Sequence, residues 1–266
     1  MKERKPRMRF VDLAVPIQNP NPGEIREELK DGLTGTIEYL DHFQGALQMM
    51  DVFNCKKEDL PEGYGWANEY IKLTTHTGTH MDAPYHYYPT TAGKPARTID
   101  ELPLDWFYGD GVVLDLRHKK SGETASVEDV KGALEKANYT LKAGDIVCLM
   151  FGCDANLGEP SYWSEFPGMS AEATHWIVDQ GIKVIGTDAM GFDIPFEKIR
   201  SNFEETQKKE GIWEAHRVGI HKEYCQIEKM ANLTQLPLHG FKIACFPIPI
   251  HKASAGWVRP VAIIPS

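Results

Sequence analysis

The sequence predicts an α/β protein with a mixed central sheet, flanking helices and a second strand layer. Two observations carry this. Strand-like and helix-like patterns alternate between residues 112 and 186, and both ends of the chain are rich in strand-like runs. In chain order, residues 9–17, RFVDLAVPI, read as a first strand, ended by Pro20, Pro22 and Gly23. Residues 36–40 form a second strand and 44–53 a short helix. Residues 69–74, EYIKLT, are a further strand that runs into a cluster of histidines. Residues 112–116, VVLDL, begin the alternating stretch. Ser126 caps the helix SVEDVKGALEKA, and DIVCLM at 145–150 is a buried strand. Ser170 caps the helix SAEATHWIVDQ, which stops at Gly181, and KVIG at 183–186 follows as a strand. Residues 241–250 and 258–264 return to strands and supply the second layer. Between them, residues 192–220 hold Pro195 and the charged run Glu204, Glu205, Lys208, Lys209 and Glu210. That stretch reads as a solvated, partly helical excursion, with a lid over 192–211 as the alternative.

A chain of 266 residues suits one domain over 1–266 and is long enough to bury a core. Hydrophobic residues at 42% and charged residues at 25% argue against disorder. The net charge of −9 supplies no electrostatic footprint for nucleic acid. No apolar run approaches the roughly 20 residues of a membrane span, and the basic start lacks a signal-peptide core, so a cytoplasmic location is expected. The five cysteines, Cys55, Cys148, Cys153, Cys225 and Cys245, are scattered, form no C-x-x-C pair, and read as buried thiols.

The chemistry concentrates in residues 75–87, THTGTHMDAPYHY. Histidine and aspartate at 76, 80, 82 and 86 are the ligand types of Zn²⁺ and Mn²⁺. A helix would align His76 with His80, but Gly78, the threonines and Pro84 oppose one. In a fully extended chain His76 and Asp82 would lie about 20 Å apart. A shared metal therefore requires the chain to curl at Gly78, with Thr77 and Thr79 holding the turn and Pro84 fixing its exit.

The segment HTGTHMDAPYH resembles the signature of the cyclase-family metal hydrolases, H-x-G-T-H-x-D-x-P-x-H, at His76, Gly78, Thr79, His80, Asp82, Pro84 and His86. Further likenesses are GIKVIGTD at 181–188, His216 with Glu228 ahead of NLTQLP at 232–237, the turn ASAGW at 253–257, and RPVAI at 259–263. The resemblance implies a swivelling β/β/α fold and a ligand set of His76, His80, Asp82, His216 and Glu228. It also implies one or two divalent ions, Zn²⁺ or Mn²⁺, and a homodimer or homotetramer. On chemistry alone Glu223, His221 and His239 were equally eligible as ligands. Excursions at 19–65 and 192–211 look longer than in the compact formamidases of the family and lean toward its ring-opening members.

Such a metal lowers the pKa of bound water from near 16 toward about 7 and stabilises an oxyanion. His86 is expected to transfer the protons, because its ordinary pKa lies near neutrality. If His86 is itself a ligand, Glu228 becomes the base. Asp188 follows a strand, where functional residues often sit, but a carboxylate holding a turn is the favoured reading. Cys153 and Asp154 could face the site, although a metal makes a cysteine nucleophile unnecessary. Trp66, Tyr85, Tyr87, Tyr88, Tyr162, Trp163 and Trp257 are candidates for an apolar pocket, of which two or three are expected to touch substrate; His251 and Ser254 are candidate loop contacts. The expected activity is hydrolysis of a small cyclic amide or lactone to a ring-opened acid. The alternatives are an arylformamidase acting on N-formylkynurenine and a metal-binding protein without catalysis.

Overall fold

A computed structural model describes residues 7–21, 23–25 and 34–265. Pro22 of the first strand's break and the basic start at 1–6 lie outside the described residues. The principal elements are β1 (Met8–Asp12), β2 (Thr36–Leu40), α1 (His42–Phe53), β3 (Asn68–Lys72), β4 (His80–Asp82), α2 (Pro84–Tyr87), β5 (Tyr108–Asp115), α3 (Val127–Ala137), β6 (Ile146–Met150), α4 (Ala171–Asp179), β7 (Val184–Thr187), α5 (Phe196–Thr206), β8 (Cys225–Glu228), β9 (Phe241–Ala244), β10 (Ala255–Trp257) and β11 (Val261–Pro265).

The central strands β5, β6, β7 and β8 run parallel, as the alternating pattern predicted. They sit inside a nine-stranded sheet of order β1-β11-β9-β5-β6-β7-β8-β4-β10 whose outer pairs are antiparallel. Side chains alternate across it. Val112, Leu114, Val147, Leu149 and Ile185 face a cluster formed with Val130, Ala133 and Leu134 of α3 and Ala173 and Ile177 of α4. Val113, Ile146, Cys148 and Val184 face the opposite way. There they meet Ile227 of β8 and Val11, Met81, Ile243 and Ala262, contributed by the outer strands. Apolar side chains from both ends of the sheet thus close over its middle. The expected second strand layer is present as the curled ends of one sheet.

Both helix caps follow the sequence. Ser126 Oγ accepts from Asp129 N, while Asp129 returns a carboxylate to Ser126 N. Ser170 Oγ accepts from Ala173 N, and Gly181 leaves that helix at φ +86°. Two expectations change. The run 241–250 is a strand only over Phe241–Ala244, because Pro247 and Pro249 have no N–H to offer the ladder. The first strand, read over 9–17, runs only over Met8–Asp12, while β2 and β3 pair with each other as a separate ribbon. The excursion after Phe192 contains α5, which buries none of its residues. No helix among the described residues is long and apolar enough to cross a membrane.

Candidate metal centre

Strand register builds the centre. His80 and Asp82 are two apart on β4 and share a face, while Met81 between them points into the opposite core. β8 pairs antiparallel with β4, with Glu228 opposite His80 and Gln226 opposite Asp82. Directly opposed residues lie about 5 Å apart at Cβ, so three ligand-type side chains converge from two neighbouring strands. His80 Nε2 lies 3.2 Å from Asp82 Oδ1 and 3.7 Å from Glu228 Oε2.

The turn before β4 brings the fourth group. Gly78 adopts φ +65°, and a Cβ there would lie 3.1 Å from Ile17 Cγ1. Thr79 Oγ1 donates to Lys229 O at 2.5 Å and accepts from Val15 N at 2.8 Å, so the turn is fastened to two other segments. The curl expected at Gly78 places His76 Nδ1 2.9 Å from Asp82 Oδ1. His216 arrives from beyond α5, with Nε2 3.6 Å from Glu228 Oε1 and 3.9 Å from Asp82 Oδ2. His86, on the single turn α2, stacks over His76 with ring centroids 4.1 Å apart. All six residues expected at the site are therefore together.

Hydrogen bonds fix two of the imidazoles. A carbonyl oxygen only accepts, so His80 Nδ1, 2.9 Å from Gly78 O, carries the proton and leaves Nε2 with a free lone pair. His216 Nδ1 likewise donates to Asp193 Oδ2 at 2.5 Å and turns Nε2 toward the carboxylates. Asp193 also accepts from the backbone N–H groups of Ala215 and His216. Nothing in the sequence singled out Asp193. The weak signal was its position in FDIP, shortly after a strand of the parallel set.

The donor set fits a divalent cation. His80 Nε2 and both carboxylate oxygens of Asp82 are buried with no hydrogen-bond partner, an arrangement costly to keep without an occupant. Ligand atoms of His76, His80 and Asp82 lie within 4.8 Å of one another, as do those of Asp82, His86 and His216. Two overlapping positions share Asp82.

Electrostatics follows burial and pairing. Burial raises the Asp82 carboxyl, but the neighbouring His86, His80 and His76 outweigh it and hold it well below the usual carboxylate range. Burial pushes His86 down to about 4 against the pull of Asp82. Burial also opposes charge on His216, yet the hydrogen bond and charge of Asp193 raise it above the ordinary histidine value.

A cavity of about 250 Å³ opens over the cluster, and its apolar wall is Phe166, Met190, Phe192, Phe196 and Trp213. Trp213 stacks on His216 at 4.2 Å and meets His86 edge-on at 5.0 Å. None of the seven aromatics expected from the sequence lines this cavity. Tyr87 is buried behind His216, Tyr162 and Trp163 line a neighbouring cavity, and Trp257 lines another groove. Trp66, Tyr85 and Tyr88 are exposed, Tyr85 because a one-turn helix buries a single face.

The secondary candidates divide. Ser254 Oγ is 3.2 Å from His76 Nε2, within reach of the site. His251 pairs with Asp100, Glu223 with Arg97, and His239 packs on Tyr139. Asp188 holds a turn, its two oxygens accepting from Phe151 N and Gly152 N, with burial raising its carboxyl to about 7. Asp154 accepts from Asn232 N. Cys153 is buried, and burial pushes its thiol far above the thiolate range.

Together, the sheet and this buried histidine–carboxylate cluster make a centre that can hold a divalent metal. The Cyclase family model matches residues 11–194, more than two thirds of the chain, and the protein belongs to that family. The match covers His76, His80, Asp82 and His86 and stops short of His216 and Glu228. The chain is 26% identical over 192 residues to the kynurenine formamidase of Erythrobacter litoralis, covering 72% of this chain and 74% of the relative. It is 24% identical over 222 residues to the isatin hydrolase of Roseibium aggregatum, covering 77% of each. Its fold is similar to that of isatin hydrolase A from Labrenzia aggregata bound to benzyl benzoate. That likeness has a TM-score of 0.74 at 21% identity and covers 97% of this chain and 94% of that one.

Proposed function

We propose that the protein hydrolyses a small cyclic amide or lactone to a ring-opened acid. His76, His80, Asp82, His216 and Glu228 would hold one or two divalent ions, Zn²⁺ or Mn²⁺. The observation that carries this reading is the convergence of those five side chains around the unpartnered atoms of His80 and Asp82. A divalent ion bound there supplies an acidified water and an electrophile for the carbonyl. The chain's own residues do the rest. The aromatic wall receives a flat ring and excludes water. His86, held neutral by burial, takes a proton from the attacking water at its free ring nitrogen and returns it to the leaving nitrogen or oxygen. Asp193 keeps the His216 proton on Nδ1.

A second reading is hydrolysis of an aryl formamide such as N-formylkynurenine, favoured by the kynurenine formamidases among the relatives. Proton release on a pH-stat separates the two. Isatin, neutral lactones and formanilides are each supplied with Zn²⁺, with Mn²⁺ and with chelator. Chelator-sensitive acid release from a cyclic compound supports the first reading, and release from formanilides alone replaces it with the second. No release from any of them refutes both.

We also propose a cytoplasmic homodimer or homotetramer. Phe43, Leu47, Val52, Phe53, Tyr70 and Ile71 stand exposed on the arm formed by β2, α1 and β3, which suits burial against a second copy.

A further inference from the structure

Lys229, next to Glu228, is only 2% exposed, and its backbone sits at φ +59°. Burying an ammonium is expensive, and a left-handed backbone adds steric strain at a residue with a Cβ. Local structure holds it there from both sides, since Lys229 N donates to Ala189 O at 3.0 Å and Lys229 O accepts from Thr79 Oγ1. The side chain is poorly matched within the protein. Nζ donates to His76 O at 3.3 Å and forms a long ion pair with Glu228 Oε2 at 3.6 Å. An ammonium has three N–H groups.

Lys229 lines the catalytic cavity. It also lines a second cavity of about 310 Å³ behind Gly78, where Trp163 is another wall residue and Trp163 Nε1 is buried without a partner. The lysine is therefore bordered by open volume on two sides. Among the described residues that line the catalytic cavity it is the one lysine or arginine, and it shares that lining with His86 and the aromatic wall. A strained, buried cation beside a reaction centre, holding one hydrogen bond and one long ion pair for its three N–H groups, points to a ligand that completes it.

We propose that Lys229 selects the substrate, its ammonium receiving a carboxylate carried by the substrate beside the scissile amide. The preferred substrates are then anionic aryl amides. This rests on the second reading above, hydrolysis of an aryl formamide, and narrows its substrate class.

The test uses a matched pair, 2-formamidobenzoate and formanilide, which share the scissile bond and differ by one carboxylate. Wild-type enzyme is expected to favour the anionic compound by about tenfold to a hundredfold in kcat/KM, expressed through KM, the range of one charge-assisted hydrogen bond. Lys229→Met removes that preference, and Lys229→Arg retains most of it. Equal preference in wild type and Lys229→Met overturns the proposal. So does an equal loss on both substrates, or loss of bound zinc from both variants, because Lys229 would then serve Glu228. If wild type cleaves neither compound, the aryl-formamide reading fails and calorimetry on the zinc-loaded protein decides for Lys229. Tighter binding of 2-aminobenzoate than of aniline, abolished in Lys229→Met, upholds the carboxylate site, and no difference overturns it.

Discussion

His216 Nδ1 and Asp193 Oδ2 lie 2.5 Å apart, both buried, and this contact decides which nitrogen His216 presents to the carboxylates of Asp82 and Glu228. Asp193→Asn keeps the shape but can offer an N–H where the imidazole needs an acceptor. Replacing such a partner typically lowers metal affinity or activity by about 10- to 100-fold. Zinc affinity, measured by competition with a chromophoric chelator, is expected to fall in that range while the circular dichroism spectrum is unchanged. Wild-type zinc affinity in the variant would show that Asp193 does not set the tautomer.

His86 is expected to move protons rather than to hold metal. His86→Asn should lower kcat by about 10²- to 10⁴-fold with the metal content unchanged. Loss of metal in parallel with activity would instead make His86 a ligand. The pH profile carries the same logic. A base works when deprotonated, and burial holds His86 down to about 4, so activity survives acidification well below the ordinary histidine value. The acid limb of kcat/KM is expected nearer pH 4 than pH 6.5, read on enzyme whose metal content is followed at each pH.

Gly78 gives the turn its left-handed backbone at φ +65°. Gly78→Ala adds the strain of a positive φ and a contact with Ile17, about 1–2 kcal/mol in all. The expected result is a Tm lowered by a few degrees and weaker metal binding, because His76 reaches Asp82 only through that turn. An unaltered Tm would mean that the turn tolerates a side chain.

Asp129 tests the sheet's helical cover away from the metal. Burial tends to raise its carboxyl, but the N–H and hydroxyl of Ser126, with His118 and Lys119, hold it below the usual range. A depressed carboxyl contributes stability above its unfolded pKa of about 3.9 and loses it as pH falls through the folded value. Asp129→Asn should therefore lower Tm at pH 7, with the gap to wild type shrinking below about pH 4. A gap independent of pH would assign the loss to the cap geometry alone.

How much could be read from the chain depended on how local each signal was. The caps at Ser126 and Ser170 and the glycine turn at 78 are written in a few adjacent residues, and all three stand in the structure as expected. The motif at 76–86 likewise placed four site residues. Glu228 is different: it joins the site through strand pairing with His80, a long-range register that spacing alone does not reveal, and only the family resemblance pointed to it. Asp193, Trp213 and Lys229 carried no motif. The aromatic wall was misassigned because hydrophobicity marks a residue as buried without saying which face of the sheet or which cavity it serves. The run at 241–250 was overextended because its apolar composition hid two prolines that end the ladder.

The fastening of Thr79 to Lys229 joins positions 150 residues apart. During synthesis the histidine-rich turn therefore leaves the ribosome long before the strand that completes its site. Until that strand docks, the early histidines are unspecialised imidazoles on an open chain, with no cage to distinguish one ion from another. Pairings of such range form slowly because the chain must first close a large loop. A complete ligand cage at this site then waits on the docking of the two distant halves of the chain.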